Sequence, residues 1–247
     1  PFYMAYCISL LKKHGHEVYM IDGLYDRKII TEKEYQKYLH DVEKINPEII
    51  VTEISTPSYK NDQRIIRDIK SRLPTTKICL AGQHANALPE EVIKENEGIV
   101  DHVLVGEYEF LALEVANGKR EDGSPLIPIM RNLTLHDIDS IPWPAREMFD
   151  MSKYNDTFCE GYPNIHILFS RGCFYSCNYC NIHLSNDGIR KQRTRNVYDV
   201  IEEMKFCVKT YHPKEFWIED DIFNGSEEKV REFCRVKIQE GVDTPFS

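Results

Sequence analysis

The sequence predicts an α/β fold built on parallel sheets, and three observations point to it. Short β-branched runs alternate with amphipathic helical stretches through the first half of the chain. Those stretches carry their own boundary signals, among them Thr31 with Glu34 three residues on, and Gly15 after a helical run. A further strand-like run, Ile165 to Phe169, leads straight into a loop rich in cysteine. Ligand-binding loops of parallel sheets lie at such carboxyl ends.

Taken in order, Met4 to His14 has helical spacing and stops at Gly15, which suits the left-handed backbone that ends helices. Glu17 to Asp22 is expected as a short strand. Thr31 and Glu34 form a capping-box pair that opens a helix to about Ile45. Glu48 to Ile54 reads as strand, and Asn61 to Leu73 as a helix with Ile65, Ile66 and Ile69 on one face. Lys77 to Ala81 is strand, Pro89 to Glu95 is helix with proline in its first turn, and His102 to Val105 is strand. Glu107 to Ala116 closes this region as a helix. The alternation implies a parallel sheet covered on both faces. Its strand-end loops are Ser55-Thr56-Pro57-Ser58, Gly82-Gln83-His84-Ala85 and Gly106-Glu107. Small residues there would let a bulky ligand reach the backbone, and the same residues also make ordinary turns.

Residues 117–162 are expected to join two domains. Asn117 to Pro125 is polar and turn-rich. Asp137 to Ala145 contains Pro142 and Pro144, which exclude a central helix or strand, while Ile138, Ile141 and Trp143 require burial. In the second half, Asn186-Asp187-Gly188 marks a turn. Arg190, Lys191, Arg193 and Arg195 precede a helix from Val197 to Tyr211. That basic run reads as a solvated segment; the alternative is an anchor for a carboxylate or an anionic substrate. Lys214 to Ile218 is strand and ends in Glu219-Asp220-Asp221-Ile222-Phe223. Glu227 to about Gly241 is helix, and a third strand begins at Thr244.

At 247 residues with 42% hydrophobic content the chain can bury a substantial core. A net charge of −9 argues against a nucleic-acid backbone as the main partner. No apolar run reaches membrane-spanning length. Cys7, Cys79, Cys159, Cys207 and Cys234 are scattered in or beside apolar segments and read as buried free thiols, in keeping with a reducing cytoplasm. The chain opens on Pro1 and ends as a strand begins, so it reads as a piece of a longer polypeptide.

The chemistry concentrates in Cys173, Cys177 and Cys180, spaced C-x3-C-x2-C. Three thiolates on one short loop can hold three irons of a [4Fe–4S] cluster and leave the fourth open to a small molecule. Zinc is the competing metal, with His183 completing a Cys3His set. A non-catalytic zinc- or cluster-bearing module is the matching alternative function. At the acidic run, three carboxylates at a strand end need a cation or solvent.

The cysteine spacing, Tyr179 directly before the third cysteine, and the preceding Ser170-Arg171-Gly172 resemble the radical S-adenosylmethionine (SAM) enzymes. The resemblance implies that Cys173, Cys177 and Cys180 ligate the cluster, that SAM chelates its open iron, and that reductive cleavage gives a 5′-deoxyadenosyl radical. Tyr179 would lie against the adenine. Glu219, Asp220 and Asp221 look like that family's Asp-Asp-x-Phe element, near the methionyl amine. Gly15-His16-Glu17-Val18, Ser55-Thr56-Pro57, the stretch from Gly82 to Glu91, and Val105-Gly106-Glu107 resemble the cobalamin-binding domain joined to many of these enzymes. Ser55, Thr56, Gly82 and Gly106, with Gln83 and His84 beside them, would surround the corrin and its nucleotide tail. The family's Asp-x-His-x-x-Gly element has no match here, and His84 reads as a hydrogen-bonding residue rather than a cobalt ligand.

The resemblance implies a Rossmann-like cobalamin-binding domain in residues 1–116 lacking its first strand, a linker in 117–162, and the start of a partial (β/α)6 barrel in 163–247. It further implies methyl transfer to an unactivated carbon, as in the class B methylases, with cyclisation or rearrangement, with or without bound cobalamin, as the alternative. A small-molecule or peptide substrate and an electron donor such as flavodoxin or ferredoxin would be the partners.

Overall fold

The computed structural model describes residues 2–23, 31–185 and 188–247. The chain divides into two compact units, one of Leu10–Leu135 with Leu184–Gly188, the other of the residues up to Ser9 with His136–His183 and Ile189–Ser247. The first helix, α1 (Phe2–Lys13), is shared between them in sequence. The residues expected to join two domains are likewise divided, at Leu135.

In the first unit, α2 (Glu32–Ile45) begins as its capping box requires: the Glu34 amide donates to Thr31 Oγ1, and the Thr31 amide donates to the Glu34 carboxylate at 2.9 Å. Then follow β1 (Ile49–Glu53), α3 (Tyr59–Arg72), β2 (Lys77–Ala81), the short α4 (Gln83–Ala87), α5 (Pro89–Glu95), β3 (His102–Val105), α6 (Tyr108–Asn117) and β4 (Ile129–Arg131). The four strands pair in parallel in the order β1-β2-β3-β4. Ile78 to Ala81 and Val103 to Val105 are wholly buried on both faces, as a helix-covered parallel sheet demands. Ile78, Leu80, Val103 and Val105 join Tyr35, Leu39 and Val42 of α2, Ile66 and Ile69 of α3, and Val92 of α5 in one core.

Two expectations change here. Glu17 to Asp22 forms no strand, because a strand needs a ladder partner and β1 pairs only with β2 among the described residues. Conversely, β4 lies in the stretch read as a joining segment. Its ladder on β3 pairs Val103 with Ile129 and Leu104 with Met130.

The second unit starts with Ala5, Tyr6, Cys7 and Ile8 of α1, all buried. The Pro142–Pro144 stretch runs irregularly, and the Ala145 amide donates to Ala5 O at 3.0 Å. Ile138 and Ile141 are buried as expected, whereas Trp143 is only half-buried and donates Nε1–H to Asp199. Next come β5 (Asn164–Ile167), β6 (Ser170–Arg171), α7 (Ile182–Ser185), β7 (Arg193–Thr194), α8 (Val197–Tyr211), β8 (Glu215–Ile218) and α9 (Glu227–Gln239). β5 and β8 pair in parallel. The last residues continue the sheet beside β8, with Phe216 N donating to Pro245 O and Ser247 N donating to Phe216 O. Ile165, Ile167, Phe216 and Ile218 form a core with Val200 and Met204 of α8 and Phe233 and Val236 of α9.

A buried ionic group runs through this core. Glu203 of α8 is fully buried and paired with Arg146 at 2.7 Å and Arg195 at 2.6 Å. Arg146 also donates to His166 O, and Arg195 to Leu168 O and Asp199. The pairing keeps Arg195 charged despite its burial: desolvation pulls its pKa down, Glu203 pushes it up, and the net shift is upward.

Candidate functional site

The cysteine loop is closed at its base by an antiparallel two-residue ladder, Ser170 opposite Thr194 and Arg171 opposite Arg193. The chain therefore leaves the core at Arg171 and returns at Arg193, and the residues from Phe174 to Asn181 between them are exposed. Cys173 is half-buried, Cys177 and Cys180 are exposed, and all three are free thiols. The Cys180 amide donates to Cys177 O at 3.2 Å, a tight turn that keeps the last two thiols close in the chain. Tyr179 is 87% exposed. Its hydrogen bond to Cys177 holds the phenol above its ordinary pKa. Among the described residues no three His, Cys, Asp or Glu side chains gather closely enough to share one metal ion. His183, the fourth ligand a zinc set would need, is half-buried on α7, with both ring nitrogens covered and unpartnered among the described residues. Asn186 and Asp187 of the expected turn lie outside the described residues, while Gly188 has a positive φ of 79°.

The acidic run after β8 meets the base of this loop. Asp220 Oδ1 accepts the amides of Phe169 and Ser170, each at 2.8 Å, and its Oδ2 accepts the Ser170 hydroxyl at 2.6 Å. Asp221 Oδ2 accepts the Gly172 amide at 2.7 Å. Glu219 takes a different partner, the His166 ring at 2.8 Å. Burial pushes the Asp220 carboxyl up to about 6 against the pull of its hydrogen bonds. Asp220 and Asp221 are thus met by donors of the loop base, the amides of Phe169, Ser170 and Gly172 and the Ser170 hydroxyl. Gln192 was not singled out by its sequence context. It donates to Ser170 Oγ at 2.9 Å and to Ile222 O.

The basic run separates. Arg190 and Lys191 are exposed, as a solvated segment requires. Arg193 is half-buried and donates to His136 O at 2.8 Å. Arg195 is buried in the Glu203 group. A charge run beside a helix start reads as surface; the buried acid at Glu203, one helical turn beyond Asp199, is the signal that Arg195 is not.

At the strand ends of the first unit, Ser55 and Ser58 share a hydroxyl hydrogen bond, and Thr56 meets His84 Nδ1 at 3.0 Å. His84 is buried, its ring centroid lies 4.1 Å from that of Tyr59, and its Nε2 has no partner among the described residues. Gln83 is exposed at the start of α4. Gly82 has φ +92°, and a Cβ there would stand 2.9 Å from Ile54 O. Its glycine is therefore demanded by the neighbouring backbone at the end of β1, a different reason from ligand approach. Gly106, buried at φ +95°, donates its amide to Asn86 Oδ1 at 2.8 Å. Asn86 also donates to Ser185. This asparagine was quoted in the Gly82–Glu91 stretch but not assigned to the site; being buried and polar next to Gly82, it ties two strand-end loops together.

Residues 1–115 match the family model described as the B12 binding domain. All of the chain aligns with an uncharacterized methyltransferase of Pyrococcus horikoshii at 26% identity, covering 54% of that protein. Over 95% of the chain it is 24% identical to cytidylyl-2-hydroxyethylphosphonate methyltransferase of Streptomyces wedmorensis, covering 53% of it. Over 98% it is 24% identical to anaerobic magnesium-protoporphyrin IX monomethyl ester cyclase of Cereibacter sphaeroides, covering 40% of it. The chain thus spans about half the length of the curated relatives it matches. No helix among the described residues is long and apolar enough to cross a membrane.

Proposed function

We propose that this chain, a member of the radical SAM enzymes that carry a cobalamin-binding domain, is the cofactor-holding part of a methyltransferase acting on an unactivated carbon. The observation that carries the reading is one chain holding both a B12-binding domain and, beyond a parallel strand, a loop with three free thiols, two of them exposed. Bound together, a [4Fe–4S] cluster with SAM would supply the 5′-deoxyadenosyl radical, and cobalamin the methyl group.

The residues present suit both groups. Three free thiols on one short loop offer one sulfur to each of three irons. Buried His84 keeps an Nε2 at the strand ends with no partner among the described residues, an orphaned polar atom that a ligand's polar group would satisfy. In this reading Cys173, Cys177 and Cys180 hold the cluster, and exposed Tyr179 covers the adenine. The negative charge of Glu219, Asp220 and Asp221 favours the methionyl amine. Ser55, Thr56, Gly82, Gln83, His84 and Gly106 line the cobalamin side. The sheet begun by β5 and β8 is the start of a partial barrel, which would orient the substrate and exclude water. A flavodoxin- or ferredoxin-type donor would supply the electron. Ring formation is the second reading, favoured by the cyclase among the relatives.

The test is to express the complete polypeptide, reconstitute it anaerobically with iron, sulfide and cobalamin, reduce it with SAM present, and identify the products. Methyl transfer predicts both 5′-deoxyadenosine and S-adenosylhomocysteine, the former lost in Cys177→Ala. Deoxyadenosine alone points to the cyclase reading. Bound zinc with SAM untouched overturns the enzyme and leaves a binding module.

A further inference from the structure

We propose that Asp220 and Asp221 are positioning residues, a two-carboxylate clamp that fixes the backbone leading into the cysteine loop. The inference deepens the cluster reading and rests on it for its functional consequence. Three donors on the loop's approach, the amides of Phe169, Ser170 and Gly172, point at these two side chains. An ionised carboxylate accepting backbone N–H groups makes hydrogen bonds about twice as strong as neutral ones, so the pair restrains the chain up to the residue before Cys173.

The same segment grips the loop from two further directions. Gln192, on the returning arm, bridges Ser170 Oγ and Ile222 O, so outgoing arm, returning arm and acidic segment are joined through one side chain. At Gly225 a Cβ would collide with the Gln192 side chain and stand 3.0 Å from Phe174 Cε1. The segment from Asp220 to Gly225 therefore lies against both arms, and glycine is what lets it lie there. Cys177 and Cys180, farther along the loop than Gly172, are exposed and joined by the Cys180 amide to Cys177 O. The clamp makes Cys173 the fixed ligand and leaves the other two to close on the cluster.

The experiment compares wild type with Asp220→Asn, Asp220→Ala, Asp221→Ala and Gly225→Ala, in the complete polypeptide. Site-resolved hydrogen exchange and alkylation rates of Cys173, Cys177 and Cys180 are measured without cluster. Iron content and the reduced cluster's electron paramagnetic resonance signal are measured after reconstitution. The alanine variants should raise exchange at Phe169 and Ser170 (Asp220) or Gly172 (Asp221) by roughly ten- to a hundredfold, the population change from losing one charge-assisted hydrogen bond. Exchange in α8 should stay as in wild type, Cys173 should alkylate faster relative to Cys180, and Asp220→Asn should recover part of the protection. Gly225→Ala should give the same pattern with both carboxylates intact, which covers the case where an aspartate variant fails to fold. Unchanged exchange at these amides in folded variants overturns the clamp. Exchange that rises equally everywhere also overturns it, as a general loss of stability. A wild type that takes up no iron sinks the cluster reading instead, while the exchange data still decide the clamp.

Discussion

In the parallel-sheet unit two buried asparagines link neighbouring segments by neutral hydrogen bonds, while a nearly buried ion pair, Glu114 with Arg120 at 2.9 Å, lies beside α6. Asn96 is fully buried, with its amide nitrogen on Tyr59 Oη and Val92 O, and Asn86 holds Gly106. In the cysteine-loop unit buried carboxylates make the corresponding links, alongside fully buried neutral Asn164: Glu203 lies between Arg146 and Arg195, and Asp220 receives three donors from the strand end. The first unit sets its strand-end loops by backbone shape and amide links, while the second sets its loop by carboxylates. On the proposed cluster reading, a loop presenting three thiolates to irons has little tolerance in position, and charge-assisted bonds restrain more firmly than neutral ones. Loops that line a large planar ligand need shape more than anchorage.

The largest break in this contrast should come from Glu203. Glu203→Ala leaves two arginines buried without their acid, at a cost of about 3–5 kcal/mol. Asn96→Ala removes neutral hydrogen bonds and should cost about 1–3 kcal/mol. Urea unfolding followed by separate probes for each unit should show the two losses in different transitions. Equal losses would erase the distinction between the ionic link at Glu203 and the neutral one at Asn96.

Shape can be tested at Gly82. With φ at +92° and Ile54 O facing the absent side chain, Gly82→Ala should cost about 1–3 kcal/mol from backbone conformation alone. Gly118 also has positive φ but meets open space, so Gly118→Ala should cost less. If the two variants unfold at the same temperature, close packing against β1 is not what requires glycine at position 82.

How much of this was legible follows from the range of each interaction. The capping box at Thr31 and the buried runs at Lys77–Ala81 and His102–Val105 are local signals, and the structure places their elements there. β4 is three residues long. Its existence depends on β3 offering an edge, which no window on Ile129–Arg131 reveals. Glu17–Asp22 shows the reverse, a run with strand composition and no edge to join. Arg195 looked solvated because its partner Glu203 is eight positions away on a helix and draws it inward. The cysteine spacing was visible at once. That Asp220 and Asp221 serve the backbone around it, from about fifty residues on, was not.

Charge on the second unit's loop base also makes a pH dependence that the first unit's neutral links lack. Asp220 has its folded pKa raised to about 6, chiefly by burial, from an ordinary 3.8. The folded chain therefore binds more protons than the unfolded one between those values, and stability falls as pH rises through that window. The contribution is fully present below the unfolded pKa and is gone once pH passes the folded one. Wild type should thus lose unfolding free energy relative to Asp220→Asn between pH 4 and about 6.5, and run parallel to it above. Unfolding midpoints of the cluster-free protein across that range provide the measurement. A flat difference would mean that the backbone amides hold Asp220 ionised throughout, so that the clamp is set by hydrogen bonding with no net cost of burying its charge.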